Sequence, residues 1–118
     1  MFRVIIAGSR SLEDYELVKA YADFKLSNIE GEIEIVSGAA SGADALGERY
    51  AKEKGFRIKR FPAEWDKYGR KAGPMRNRLM AEYADALLAY WDGKSRGTKN
   101  MIELAREKGL KIGVKLYE

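Results

Sequence analysis

Val36-Ser37-Gly38-Ala39-Ala40-Ser41-Gly42-Ala43-Asp44 joins an apolar run, Ile33 to Val36, to the start of a helical pattern. A strand, a turn of small residues and a helix in direct succession aim the backbone N–H groups of the helix N-terminus at one spot, where they collect an anion. Gly38 and Gly42 stand where a side chain would block approach to the backbone. Ser37, Ala39 and Ser41 complete the candidate turn. Neither the dinucleotide fingerprint Gly-x-Gly-x-x-Gly nor the Gly-Lys-Ser/Thr of a P-loop is present. Asp44 falls in the first helical turn, where the helix dipole favours a carboxylate. It would repel a phosphate, so it either bonds the backbone of a neighbouring turn or takes a ribose hydroxyl.

Two more turns of this kind flank the central one. Gly8-Ser9-Arg10 follows the β-branched run Phe2 to Ala7 and offers a close backbone approach, a hydroxyl and a guanidinium. Asp92 to Thr98 follows the run Ala86 to Tyr90. There Gly93 and Gly97 free the backbone, Ser95 and Thr98 offer hydroxyls, and Lys94 and Arg96 offer charge. Thr98 also reads as a helix N-cap. The expectation is that the three turns lie side by side and form one site for a phosphorylated small molecule.

The rest of the chain supplies the frame. From Asp14, Leu17, Val18, Tyr21 and Phe24 recur at helical spacing, with Ser11 or Asp14 as cap. Ala43, Leu46, Gly47, Tyr50 and Ala51 mark one face of a second helix, which Gly55 ends. Arg57 to Phe61 is a third strand of mixed pattern, expected at a sheet edge. Pro62 to Pro74 has no regular period and reads as a long binding loop carrying Glu64, Trp65, Asp66, Tyr68, Arg70 and Lys71. Met75, Leu79, Met80 and Tyr83 give a third helix; Met101, Ile102 and Ala105 face inward from a fourth, started by Thr98 and stopped by Gly109. Lys111 to Leu116 is the last strand.

Alternating strands and helices predict a Rossmann-like three-layer α/β/α domain with a five-stranded parallel sheet. Right-handed crossovers give the expected order 3-2-1-4-5. Strands one and four then meet at the switch point, where such sheets bind ligands. Residues 1–118 read as one domain, without repeats or low-complexity tracts.

Composition narrows the chemistry. There is no cysteine and no histidine, which removes disulfides, thiolates, Ser-His-Asp triads and His-based metal sites. No metal and no required cofactor are expected. No apolar run approaches the roughly 18 residues of a membrane span, and the strand pattern starts at once, so a cytoplasmic protein is expected. The net charge is +4, yet Arg57 to Arg78 holds eight basic residues against Glu64 and Asp66. That concentration suits a phosphate-bearing partner or forms a solvated basic face. Trp65, Tyr68 and Trp91 are the aromatic candidates for stacking on a base, with packing as the alternative.

Gly8-Ser9-Arg10, Ser37 to Asp44, the segment Phe61 to Met80 (FPAEWDKYGRKAGPMRNRLM) and Gly97-Thr98 together resemble the SLOG superfamily. The resemblance is to its YspA-like, YpsA-related branch, found in bacteria and phages, and spans nearly the whole chain. It implies a Rossmann-like domain that binds nucleotides or nucleotide-derived signals such as ADP-ribose- or NAD-related molecules. Lys71, Arg76 and Asn77 join the candidate ligand contacts on this ground. The cytokinin-activating phosphoribohydrolases are more distantly similar. Their Arg-Lys-x-x-Met motif corresponds to Arg76-Asn77-Arg78-Leu79-Met80, with Asn for Lys, which implies that Arg76 is the ligand-binding and, in that family, catalytic arginine. Their catalytic Glu falls at Met101 here, so sugar–base cleavage by that route is not expected. For any hydrolytic reaction the candidate carboxylates beside Arg76 are Glu64, Asp66 and Asp92. The superfamily also includes the DNA-binding competence protein DprA, which keeps nucleic acid as an alternative partner. Family analogy implies a homo-oligomer formed through exposed helix faces.

Overall fold

The computed structural model describes residues 1–118. β1 (Phe2–Gly8) and β4 (Ala86–Trp91) run side by side at the centre of a parallel five-stranded sheet, with Gly8 opposite Tyr90. β2 (Ile33–Ser37) and β3 (Arg57–Arg60) extend it on one side, β5 (Lys111–Leu116) on the other. The order is β3-β2-β1-β4-β5, as the sequence predicts. β3 is indeed an edge strand.

Alternate strand residues feed two apolar layers. Val4, Ile6, Leu88 and Tyr90 pack with Val18 and Ala22 of α1 (Tyr15–Leu26) and with Tyr50 and Ala51 of α2 (Ala43–Lys54). Ile5, Ala7, Val36, Leu87 and Ala89 pack on the opposite face with Met80 of α4 (Ala72–Tyr83) and Met101, Ile102 and Ala105 of α5 (Arg96–Glu107). β1 and β4 therefore send their connections in opposite directions, which leaves a crevice above their carboxyl ends.

Several expectations are corrected. Phe24 does not face the core: it is 72% exposed, and Tyr15, Val18, Ala22 and Leu26 form the buried seam. Two residues beyond Ala22, Phe24 lies about 200° around the helix. Met75 and Leu79 likewise point outward from α4, each two residues from the buried Asn77. The stretch Pro62 to Pro74 is not an irregular loop. It holds a single-turn helix α3 (Trp65–Tyr68), a 3-10 turn (Gly69–Lys71) and the first turn of α4. One helical turn is too short to show a period, and Pro74 sits in a first turn, where its missing N–H costs nothing. The cap of α5 is Ser95 rather than Thr98: the Ser95 hydroxyl oxygen accepts the Thr98 N–H at 3.3 Å. Asp14, not Ser11, caps α1.

The turn after β2 is docked onto the turn after β1. The Ser9 carbonyl accepts backbone N–H groups from Leu12 at 3.3 Å and from Ala43 at 3.1 Å. Gly42, at φ +72°, makes this approach feasible, since a Cβ there would lie 2.3 Å from the Ser9 carbonyl oxygen. Gly42→Ala is therefore expected to lower the unfolding free energy by roughly 2–4 kcal/mol in urea titrations. Gly31→Ala tests φ alone, because Gly31 has φ +88° but a Cβ there would meet no atom within 4 Å. It should cost only about 1 kcal/mol. Equal costs at the two positions would refute the docking role of Gly42.

Candidate functional site

The ends of β1 and β4 open into a cavity of about 400 Å³. Gly8, Ser9, Arg10 and Ser11 bound it on one side, and Ala40 and Asp44 bound it at the start of α2. Arg76, Asn77 and Met80 enter from α4, and Ser95, Gly97, Thr98 and Met101 from the start of α5. Three turns that are remote in sequence thus meet at one crevice, because the sheet order makes β1 the neighbour of both β2 and β4.

Arg76 is the most constrained side chain of the group. Its Nη1 donates to the Gly38 carbonyl at 2.5 Å and its Nε to Asn77 Oδ1 at 2.9 Å. Nη2 has no protein acceptor. Asn77 is buried and passes the constraint on, donating from Nδ2 to Asn100 Oδ1 at 2.9 Å and to the Gly97 carbonyl at 3.4 Å. The guanidinium is thereby braced between the β2–α2 turn and α5. Burial lowers its pKa from the ordinary value; Asp44 opposes that shift and Arg10 adds to it. An arginine so placed still carries its charge at neutral pH. Gly38 leaves the space for it, as a Cβ there would lie 2.6 Å from Arg76 Nη1 and 2.7 Å from Asp44 Oδ2.

Asp44 is the one carboxylate on the cavity wall. It is 7% exposed, and its Oδ2 accepts the Ala40 N–H at 3.2 Å. Burial pushes its pKa up to about 6, against the pull of the Ala40 N–H and of Arg76. Glu48 pushes in the same direction as burial, and Arg10 opposes it.

Arg10 lies over the Trp65 ring, with its guanidinium carbon 5.3 Å from the ring centroid. Trp65 is half exposed and packs near Gly73, so it borders the cavity through Arg10. Ser9 and Ser11 share a hydroxyl–hydroxyl bond at 2.8 Å.

Other candidates lie elsewhere. The Ser37 hydroxyl is buried behind its turn, donating to Glu48 Oε2 at 2.6 Å and accepting the Ala39 N–H at 3.0 Å. Ala39, at φ 60°, and Ser41 are exposed on the outside of the turn. Gly42 packs on the β1 turn, and Gly93 is exposed outside the cavity wall. Trp91 donates from its indole N–H to the Ser95 carbonyl at 3.1 Å, which braces the turn from below. Asp92 Oδ1 accepts the N–H groups of Lys94 and Ser95, both at 2.8 Å, and these bonds hold its carboxyl below the usual range. Lys71 lines a separate groove between α4 and α5. Glu64 and Asp66 are exposed, Glu64 on a neighbouring cavity and Asp66 on α3. No three His, Cys, Asp or Glu side chains gather to hold a metal ion. No helix is long and apolar enough to cross a membrane.

Two wall residues had a legible signal that the motifs alone did not use. Met80 stands four residues after Arg76, hence on the same helix face. Ser11 stands two residues after Ser9. Met101 puts a thioether on the wall where the phosphoribohydrolase motif would put a carboxylate.

The Asp44 shift has a pH consequence. Its pKa rises from 3.8 to about 6 on folding, so the folded state holds the proton more tightly. Its contribution to stability is fully present below the unfolded value and is lost as pH rises through the folded value. The loss amounts to about 3 kcal/mol. Urea unfolding of the wild type and Asp44→Asn across pH 3.5 to 7 is expected to show the variant gaining on the wild type as pH rises. A constant difference between the two would refute the buried-carboxylate assignment.

Comparison with known proteins adds three findings. The model of a family described as YAcAr: YspA, cpYpsA-related SLOG family matches residues 2–68. That stretch carries the turns after β1 and β2 and ends before Arg76. The Gene 61 protein of Mycobacterium phage D29 is 34% identical over 119 residues, covering 95% of this chain and 94% of that protein. The structure of DNA processing protein A (DprA) from Streptococcus pneumoniae superposes on 96% of the chain with a TM-score of 0.73 at 19% identity, and this chain spans 49% of its length.

Proposed function

The chain belongs to the YspA, cpYpsA-related SLOG family, and from that premise we propose that it binds a phosphorylated, nucleotide-derived small molecule of the ADP-ribose or NAD kind. One observation carries this reading. Two guanidinium groups, Arg10 and Arg76, and the N-terminus of α5 face a single cavity at the switch point of the sheet. Cations and helix N-terminal N–H groups are what a diphosphate needs. Arg76 Nη2 and the Arg10 backbone N–H take the phosphates, the Ser9 N–H being engaged by the Tyr90 carbonyl at 3.3 Å. Asp44, with Oδ2 engaged by Ala40, offers Oδ1 to a ribose hydroxyl. Trp65 offers a ring edge beside Arg10, and Met80 and Met101 give an apolar floor.

Binding is favoured over hydrolysis by the acids. Glu64, Asp66 and Asp92 lie off the cavity wall. A hydrolytic reaction would fall to Asp44 alone, and released base or ribose phosphate in an incubation would reveal it. A second reading, nucleic-acid binding, draws on the exposed Arg57, Lys59, Arg60, Lys67, Arg70, Lys71 and Arg78 and on the name of DprA, a DNA processing protein. A gel shift that weakens steeply with salt is its signature.

Thermal-shift titration with ADP, ADP-ribose and NAD tests the preferred reading. The wild type is expected to be stabilised by at least one of them. Arg76→Ala should weaken that ligand roughly 10- to 100-fold, the loss of a charge-assisted contact. Wild type and Arg76→Ala unmoved by every phosphorylated probe would overturn it.

A further inference from the structure

Arg76 lines two cavities. Besides the one at the β1–β4 crevice, it borders a second of about 350 Å³ between the end of β3 and the outer face of α4. No other residue is shared by the two. Each lies near the lower end of the about 300–1,000 Å³ spanned by small-molecule sites. The second is apolar and aromatic within, with a charged edge. Phe61, Tyr68, Met75 and Leu79 line it, and Lys59, Arg60 and Glu64 stand at its rim.

Tyr68, Met75 and Leu79 are 38%, 40% and 54% exposed, among the most exposed large apolar side chains of the protein. Their convergence on one hollow needs a reason, since scattered exposed apolar residues are ordinary and a gathered set is not. Phe61 is fixed beneath them by its ring contact with Tyr83 at 5.4 Å. Arg60 is held by Glu48 at 2.9 Å, whereas Lys59 makes no ion pair. The hollow therefore presents an exposed tyrosine ring, an apolar wall and a rim that carries Glu64 and Lys59, whose ammonium lies over the Phe61 ring at 5.6 Å, with Arg76 on the wall shared with the first cavity.

We propose that this hollow is a second subsite for the same ligand, so that the ligand is bipartite: a central diphosphate at Arg76 with a nucleoside-like end group on each side. The proposal rests on the nucleotide-binding reading above and deepens it, by naming the ligand class and the residues that receive its second end. Arg76 is suited to the central place. Its Nε and Nη1 are committed to Asn77 and Gly38, which fixes the plane of the guanidinium between the two cavities. Tyr68 gives the second end group a stacking face, and Leu79 and Met75 cover its edge. Stacking on an aromatic ring tolerates many bases, so this subsite selects for an aromatic end without reading which one.

Isothermal titration of the full chain with ADP and with diadenosine diphosphate tests this. Both carry a diphosphate, but only the second has an aromatic end group on either side of it. Diadenosine diphosphate is expected to bind the wild type about tenfold more tightly, the gain of one added stacking contact. Tyr68→Ala and Leu79→Glu, both at exposed positions, should bring it back to the affinity of ADP while ADP stays within about twofold of wild type. Equal affinities in the wild type, or Tyr68→Ala weakening both probes alike, would overturn the second subsite and leave the nucleotide-binding reading standing. Absence of binding by both probes would overturn the second subsite, and the nucleotide-binding reading falls with it when ADP-ribose and NAD also fail to bind. A single-stranded oligonucleotide that binds more tightly than diadenosine diphosphate, with the same Tyr68 dependence, would overturn the bipartite ligand in favour of a nucleic-acid strand.

Discussion

The Ser9 carbonyl, accepting N–H groups from Leu12 and Ala43, is the contact on which the candidate site depends. It pins the turn after β2 to the turn after β1, which neither strand pairing nor the apolar core would do. Strand pairing sets the spacing of β1 and β2 but leaves the loops above them free. Gly42 makes the contact possible because only a residue without a Cβ fits against the Ser9 carbonyl at that φ. Once the turns are joined, Gly38 and Asp44 stand at fixed positions on the crevice. Arg76 then crosses from α4 to reach the Gly38 carbonyl, and Asn77 carries the link on to Asn100 and Gly97. The chain of bonds runs from β1 through α2 and α4 to α5, all at the carboxyl end of the sheet.

Electrostatics follow from that arrangement. Arg10 and Arg76 are like charges at one cavity, with a single carboxylate, Asp44, between them in effect. Burial raises the Asp44 pKa to about 6, which leaves it largely ionised at neutral pH, and the two guanidinium groups outnumber it on the cavity wall. The crevice thus stays attractive to an anion. Asp92 illustrates the opposite regime. It is half-buried and accepts two backbone N–H groups, so its charge is spent on shaping the β4–α5 turn. Both acids sit near the same cavity, yet only one faces it.

The motif residues divide along this line. Ser37, Gly42, Trp91 and Asp92 are carried by the same turns as the wall residues but support them from behind or below. In a turn of eight or nine residues only those on the inner surface can meet a ligand, and the outward side of Ala39 and Ser41 is turned to solvent. Sequence marks the whole turn because small residues are needed throughout: some to admit a ligand, others to admit the neighbouring backbone. Gly38 and Gly42 look alike in the chain, but one makes room for Arg76 and Asp44 and the other for the Ser9 carbonyl.

The alternation of strand and helix patterns, with right-handed crossovers, was enough to determine a parallel sheet of order 3-2-1-4-5 and hence which three turns would meet. That information is local and periodic, so it survives in one dimension. The turn motifs also named Arg10, Asp44 and Thr98, and the family resemblance named Arg76 and Asn77; all five reach the cavity wall. The single-turn helix Trp65–Tyr68, the outward placement of Met75 and Leu79, and the second hollow beside Arg76 were decided only in three dimensions. A helix of one turn has no period to read. Which face of α4 turns inward depends on its seat against β1, β2 and α5, where the small Ala72, Gly73 and Ala81 and the buried Asn77 fit and the bulkier Met75 and Leu79 are left to solvent.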